Sequence, residues 1–506
     1  MDSRSELRSP MLLPTLSIAG GVVLFEAGTG LGTGIAIIAA AIIIYMMLLR
    51  LTRTPAKSLR LNRYHRIWEA ALFVGTGISI AALQAPEEID SDRLRGSVTE
   101  RVAMTYGDRL TVKLDGYNSK VRIYAELGDI RPGDIVEAKG ELKRIADAGD
   151  KLPEGYAESM RRRGILYNLN VKKEGYVRKV GHRETISTFA TRMRDDIDIF
   201  ISHTPLRRDT KIFLSAMLIG DRTMLDQQKR QQFADAGVAH VLALSGMHLG
   251  IISLFLLGIL LPANIFGLFK ARYILTILIL WGYAVLTGLS PTIVRASVMA
   301  TCVMGGIILE RKKSSLNALC TAVFIIILFD AMCIFDIGLQ LSVACVGCLI
   351  LFASKLNPVD HRSRPRLHSI AGAVIATLVA TLGTWVITAW YFNRFPLLFL
   401  PVNLIVLPLL PWFAGGAIVY LLLYSFGIEI TALGNCLDLA YTGFHSLAEW
   451  GGEAAVNVSI GGVTLVLWLY GLVMLAYGLH TSGIYAKGVR FTGIGVLMLA
   501  LLTIFI

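Results

Sequence analysis

The sequence has little charge. Only 17% of its 506 residues are charged while 54% are hydrophobic, and its mean hydropathy is +0.59. Soluble globular domains carry about 25% charge, so this balance excludes an ordinary water-soluble chain and implies a polytopic membrane protein. Cysteine is also scarce: Cys302, Cys320, Cys333, Cys345, Cys348 and Cys436 all lie in or beside apolar segments, and none falls between residues 86 and 182. No disulfide framework is implied, and the Cys345/Cys348 pair inside LSVACVGCLILF reads as packing. No phosphate loop of the GxxxxGK[ST] type occurs, which excludes ATP hydrolysis by the chain itself. The nine histidines are scattered, with no clustered metal-ligand set, so no metal or cofactor is expected.

What is present is apolar runs and a surplus of base. Runs at 11 to 28, 34 to 49 and 67 to 84 each approach the length that crosses a ~30 Å hydrocarbon layer. The first is expected to be retained, because a second follows it and no cleavage site precedes a soluble domain. Residues 1–85 therefore predict three transmembrane helices. Residues 86–182 change character: short β-branched runs alternate with turn signals, and Pro132-Gly133-Asp134 marks a turn between strands. A small β-domain of barrel type is expected there. Residues 183–235 open with Ile186, Phe189, Met193, Ile197 and Phe200 at spacings of three and four, the pattern of an amphipathic interfacial helix. Residues 236–506 are a polytopic helical block. The fold class is thus a polytopic α-helical membrane protein with a small all-β domain inserted after the third helix.

The 49 lysines and arginines exceed the 37 acids by 12, a surplus that fits either cytoplasmic loops or a path for an anionic partner. Arg50, Arg53, Lys57, Arg60, Arg63 and Arg66 place the second loop in the cytoplasm, so the third helix delivers residues 86–182 to the outer side. Later basic clusters at 270–272, 311–313 and 362–366 fall two apolar runs apart, which keeps all three inside. The run from Val238 to Leu261 then enters from outside. Pro401, Pro408 and Pro411 predict a broken or re-entrant helix within 398–424.

Three stretches occur in order: GDRTMLDQQKRQQFADAGVAHVLALSGMHLG (220–250), LSPTIVRASVMA (289–300) and FDIGLQLSVA (335–344). Together with PLLFLPVNLIVLPLLP (396–411) and PEGYAESMRRRGI (153–165), they resemble the ComEC family of competence DNA channels over roughly residues 1–480. The resemblance implies an inner-membrane pore that carries single-stranded DNA into the cytoplasm during natural transformation, received by an external OB-like domain. Many members continue into a metallo-β-lactamase-like domain carrying a clustered His-x-His-x-Asp-His set, which has no counterpart here. A separate nuclease is therefore expected, along with an external DNA receptor, a cytoplasmic motor or DNA-binding proteins, and contact with membrane lipids; a homo-oligomeric assembly is left open. A transporter of another anionic or polar substrate is the alternative.

Ionisable and polar groups inside a bilayer cost enough to face protein or water. If His240, Ser245 and His248 shared one continuous helix they would span an arc of roughly 140° and could line a passage; interhelical hydrogen bonding is the competing reading. Ser245 and His248 lack a Gly-x-Ser-x-Gly elbow and an orienting acid, so no catalytic site and no enzyme is expected. Arg295, inside a helix starting at Pro291, could meet a phosphate bidentately or pair with Asp336 or Asp330. Gln340 follows Asp336 by one helical turn and shares its face. Asn403, between Pro401 and Pro408, is placed to serve carbonyls freed by proline. Trp385, Trp390, Tyr391 and Phe392 could stack on bases or form an interfacial belt. In the β-domain, alternation turns Arg122 and Tyr124 away from the core and, with Lys113 and Tyr117, offers a basic and aromatic surface. The Arg161-Arg162-Arg163 run suits phosphate or lipid headgroups.

Overall fold

Periodicity and turn chemistry both reappear in the computed structural model, which describes residues 9–51, 65–89, 91, 93–103, 108–125, 130–147, 155–171, 175–221, 224–242, 244, 246–311, 314–356, 365–458, 460–480 and 484–502. The chain divides into two compact units. One comprises 13–193 with 324–335, the other 1–12, 194–323 and 336–506.

In the first unit the three N-terminal apolar runs form α1 (Leu12–Glu26), α2 (Leu31–Leu51) and α3 (His65–Gln84). Glycine sets how closely they approach. A Cβ on Gly21 would run into the Val74 carbonyl and one on Gly77 into the Ile18 carbonyl, so only glycine allows α1 and α3 to touch. Replacing Gly21 or Gly77 with Leu is expected to lower the melting temperature of the detergent-solubilised protein by several degrees. Gly20→Leu, where a Cβ meets nothing within 4 Å, is the control; equal melting of all three variants would contradict this packing.

The polar block folds as β1 (Arg93–Ala103), β2 (Asp108–Leu114), β3 (Lys120–Ala125), β4 (Asp134–Lys139), β5 (Glu141–Arg144), α4 (Tyr156–Arg162), β6 (Ile165–Asn170) and β7 (Tyr176–His182). The strands make one seven-stranded sheet in the order β5-β6-β3-β2-β1-β4-β7, antiparallel except for β3 against β6. The long β1 pairs with β2 and β4 and is bulged between Val98 and Glu100, a device that bends a strand. Its inner face collects Leu94, Val98, Leu110, Val112, Val121, Ile123, Val136 and Leu169, all buried. This sheet is consistent with an OB-like domain.

The Pro132-Gly133 turn forms as the residue types require. Gly133 has φ +95°, the Asp134 N–H donates to the Arg131 carbonyl at 3.0 Å, and Pro132 precedes the glycine, the signature of a type II turn.

Two expectations for this domain are corrected. Arg122 is buried, 7% exposed, and donates to the Tyr156 hydroxyl at 2.7 Å. Alternation did turn it away from Val121 and Ile123, but α4 covers that face of β3, whereas Lys113 on β2 remains exposed and Tyr124 is half-buried. The triple-arginine run is likewise committed: Arg161 and Arg162 reach Glu26 at 2.5 and 2.8 Å, and Arg162 lies 4.2 Å over the Phe335 ring. Arg163 alone of the three is exposed.

The second unit begins within α5 (Ile186–Ser202), the expected amphipathic helix, and continues through α6 (Arg208–Leu214), a π turn at Ser215–Ile219 and α7 (Gln227–Asp235). There follow α8 (Gly246–Ile259), α9 (Phe269–Leu286), α10 (Pro291–Ile308), α11 (Ser315–Phe329), which ends in the other unit, and α12 (Ile337–Cys348). The chain closes with α13 (Pro365–Phe392), strand β8 (Arg394–Pro396), α14 (Phe399–Ser425), α15 (Thr431–Glu453), β9 (Ala455–Asn457), α16 (Gly462–His480) and α17 (Ile484–Leu502). Among the described residues, five helices (α9, α10, α13, α14 and α16) are long and apolar enough to cross a membrane.

The largest core gathers on Phe213, which is fully buried and has the rings of Phe233, Phe413, Tyr441 and Phe444 within 5.1–6.3 Å. Trp385 is also buried, edge-on to Trp468 at 5.1 Å, so it packs rather than offering a stacking face. The helix expected to break at its prolines does not: α14 runs unbroken with Pro408 and Pro411 inside it.

Candidate functional site

The stretch from 237 to 250 does not form one helix. Gly237 has φ +77° and approaches Phe399 and Pro396 so closely that a Cβ would lie 3.0 Å from each. A 3-10 turn covers Ala239–Val241, and α8 starts only at Gly246. The shared helical arc for His240, Ser245 and His248 is therefore not realised: His240 is half-buried on the turn, His248 is buried on α8, and Ser245 lies outside the described residues. Gly237 in the left-handed region closes α7 upstream of all three residues, because a residue there cannot continue a right-handed helix, and Leu244, outside any helix, separates the 3-10 turn from α8.

A polar seam does form further along. Pro291 stands at the first helical turn of α10, where its missing N–H costs nothing, and this phases Arg295 inward. Arg295 is 6% exposed and its Nη1 lies 3.4 Å from Asp336 Oδ1. Asp336 caps α12, accepting from the Leu339 N–H at 3.0 Å. One carboxylate thus serves a helix N-terminus and a guanidinium together, both favourable positions for negative charge. Gly338 makes room for this: a Cβ there would sit 2.5 Å from Arg295 Nη2 and 2.8 Å from Asp336 Oδ1.

The two charges differ in access. Arg295 keeps 7% of its side chain exposed and Asp336 keeps 42%. One turn along α12, Gln340 accepts from the Tyr391 hydroxyl of α13 at 3.4 Å. Arg295, Asp336, Gln340 and Tyr391 therefore string polar groups across α10, α12 and α13. Gly246, at the start of the helix bearing His248, packs beside Ala296, the neighbour of Arg295, so His248 belongs to a helix that abuts this seam.

Residues 217–482, which contain this seam, match the family described as Competence protein. The chain belongs to the Competence protein family. The Competence region takes in α7 to α16 and ends within a few residues of α16. The chain is 27% identical to ComE operon protein 3 of Bacillus subtilis over 335 residues, covering 65% of this chain and 40% of that one. It is 26% identical to the uncharacterized protein YcaI of Escherichia coli over 247 residues, covering 46% of this chain and 32% of that one. The chain thus spans well under half the length of these curated relatives. No solved structure matches it.

Within the Competence region, Asn403 stands apart from the seam. It is 4% exposed on α14, and its amide donates to the Phe399 carbonyl at 2.8 Å. The carbonyls that Pro408 and Pro411 leave without an N–H belong to residues 404 and 407, so Asn403 does not serve them.

Two participants carried no sequence signal that drew attention. Arg394, in the short strand β8, pairs with the buried Asp235 of α7 at 2.5 Å, and Gln231 donates to the same carboxylate at 2.9 Å. Gly338 lay inside the quoted FDIGLQ motif; the order Asp-x-Gly at a helix start, with an arginine needing space, is the pattern that could have exposed it. Among the described residues no group of three or more His, Cys, Asp or Glu could hold a metal.

Proposed function

We propose that this chain is an inner-membrane channel that takes single-stranded DNA into the cytoplasm during natural transformation. The observation that carries the reading is the buried Arg295, which shares Asp336 with a helix N-terminus in a seam continued by Gln340 and Tyr391. A guanidinium held this way meets phosphates without reading bases, and exchange of Asp336 for a passing phosphate keeps the charge paired. His248 on the abutting helix and His240 at its approach add polar groups to the same path.

Outside the membrane the β-domain, residues 86–182, receives the strand. At the end of β2, Lys113 and Tyr117 are exposed, a basic and an aromatic group of the kind single strands favour.

Uptake of labelled DNA into a DNase-protected cytoplasmic pool tests the reading. A strain without the gene is expected to lose protected label by at least tenfold, with full recovery on complementation. Normal internalisation in that strain would refute it.

A further inference from the structure

Between α5, α6 and the π turn lies a cavity of about 280 Å³, separate from the Arg295 seam. Sites for drug-sized ligands occupy ~300–1,000 Å³, so this one suits a small polar group. Among the described residues its lining carries both signs of charge: Arg208 and Lys211 on α6, with Asp198 of α5 and Asp221 beyond the turn. Lys211 is anchored by donating to the Ser202 carbonyl at 2.8 Å, which leaves two of its three N–H groups for a ligand. A nearby third acid, Asp195, has its carboxyl pushed up, first by burial and further by Asp221 and Asp198, against the pull of Arg194.

We propose that this cavity binds a phosphoethanolamine group, the headgroup of a zwitterionic phospholipid. Each feature of the lining selects for it. A polyanion such as DNA is opposed by Asp198 and Asp221, and a simple cation by Arg208 and Lys211, whereas a ligand with phosphate at one end and ammonium at the other meets both signs of charge. Among the described residues the lining contains no aromatic ring. A quaternary ammonium is recognised by aromatic faces, while a primary ammonium donates hydrogen bonds to carboxylates, so ethanolamine is favoured over choline. Acyl chains have a place to go: Met224 at the cavity is 71% exposed and Ile199, beside Asp198, is 57% exposed. On the amphipathic α5, Asp198 and Ser202 occupy the polar face that lines the cavity, leaving the apolar face for the bilayer surface. A bound headgroup would pin this helix to the membrane.

The test uses the full-length protein in detergent with four short-chain or soluble probes: dihexanoyl phosphatidylethanolamine, the matching phosphatidylcholine and phosphatidylglycerol, and phosphoethanolamine alone. Binding is read by native mass spectrometry and by the shift in melting temperature. The ethanolamine lipid is expected to bind at least fivefold more tightly than the other two lipids. Arg208→Gln and Asp198→Asn, both at solvent-accessible positions, are each expected to weaken it about tenfold while leaving the ligand-free melting temperature unchanged. Phosphoethanolamine binding as tightly as its lipid would keep the site and assign it a soluble ligand; weaker binding assigns the lipid. Phosphatidylglycerol binding as well as the ethanolamine lipid, displacement of the lipid by a single-stranded oligonucleotide, or unchanged affinity in both variants would each overturn the proposal.

Discussion

Arg295→Ala is expected to cut DNA uptake by ten- to a hundredfold while protein extracted from the membrane stays within about twofold of the parent level. The magnitude follows from the contact removed: a hydrogen bond to a charged group contributes about 1.5–3 kcal/mol, and each 1.4 kcal/mol is a factor of ten. The modest effect on protein level follows from the geometry of the pair. Removing the guanidinium leaves Asp336 with its bond to the Leu339 N–H and with 42% of its side chain exposed, so the remaining charge is still served. The reverse substitution is different in kind. Asp336→Ala takes away the helix cap and the carboxylate beside a guanidinium that is 7% exposed, and protein level should fall along with uptake. Asp336→Asn keeps the capping oxygen and separates the loss of charge from the loss of the cap. Gly338→Ala, whose Cβ would crowd both partners, should lie between parent and Arg295→Ala. Protected label divided by the immunoblot signal is the readout. If uptake and protein level fall in parallel for Arg295→Ala, the ion pair is only structural and the arginine does not meet the substrate.

The same residues show how far the sequence could be read. Three apolar runs, a turn at Pro132-Gly133 and the amphipathic spacing from Ile186 are local signals, and each element formed within a few residues of its expected place. Arg295, Asp336 and Gln340 were legible for a related reason: a charge inside an apolar run is costly wherever it folds, and the choice of Asp336 over Asp330 as partner was among the stated possibilities. What failed depended on contacts between distant segments. Arg122 alternates correctly along β3, yet nothing near residue 122 says that Tyr156 will cover it. A Cβ at Gly237 would meet Phe399 and Pro396, more than 150 residues away, and nothing near residue 237 announces them. Pro408 and Pro411 read as breaks, but packing of α14 against the Phe213 core holds the helix through both. Periodicity reports which face is apolar, and it is silent on what arrives at the other face.

Asp134 carries the second large effect, on stability rather than transport. The carboxylate is 1% exposed and accepts from Lys179 at 2.8 Å, from the Arg131 N–H at 2.9 Å and from His182 Nδ1 at 2.7 Å. Arg192 donates to the other ring nitrogen at 2.6 Å. Arginine has no acceptor, so His182 Nε2 must carry a lone pair and Nδ1 the proton given to Asp134. Burial pushes the Asp134 carboxyl upward, but the bonds from Lys179, Arg131 and His182 outweigh it and hold the group below its ordinary value. A depressed folded-state value means that the carboxylate stabilises the domain above its unfolded value near ~3.9, and that this contribution is lost as pH falls through the folded one. Asp134→Asn is expected to cost about 1.5–3 kcal/mol at pH 7, toward the lower end because Lys179 is half exposed. The variant should also lose the acid-dependent part of the decline below about pH 4, since the amide does not titrate. Hydrogen exchange of peptides covering β4 and β7, followed in the intact protein between pH 3 and pH 7, reads both effects. Parent and variant with the same pH slope would show that Asp134 is not the titrating group, and a variant as protected as the parent at pH 7 would show that the turn at Gly133, rather than the carboxylate, holds β4 against β7.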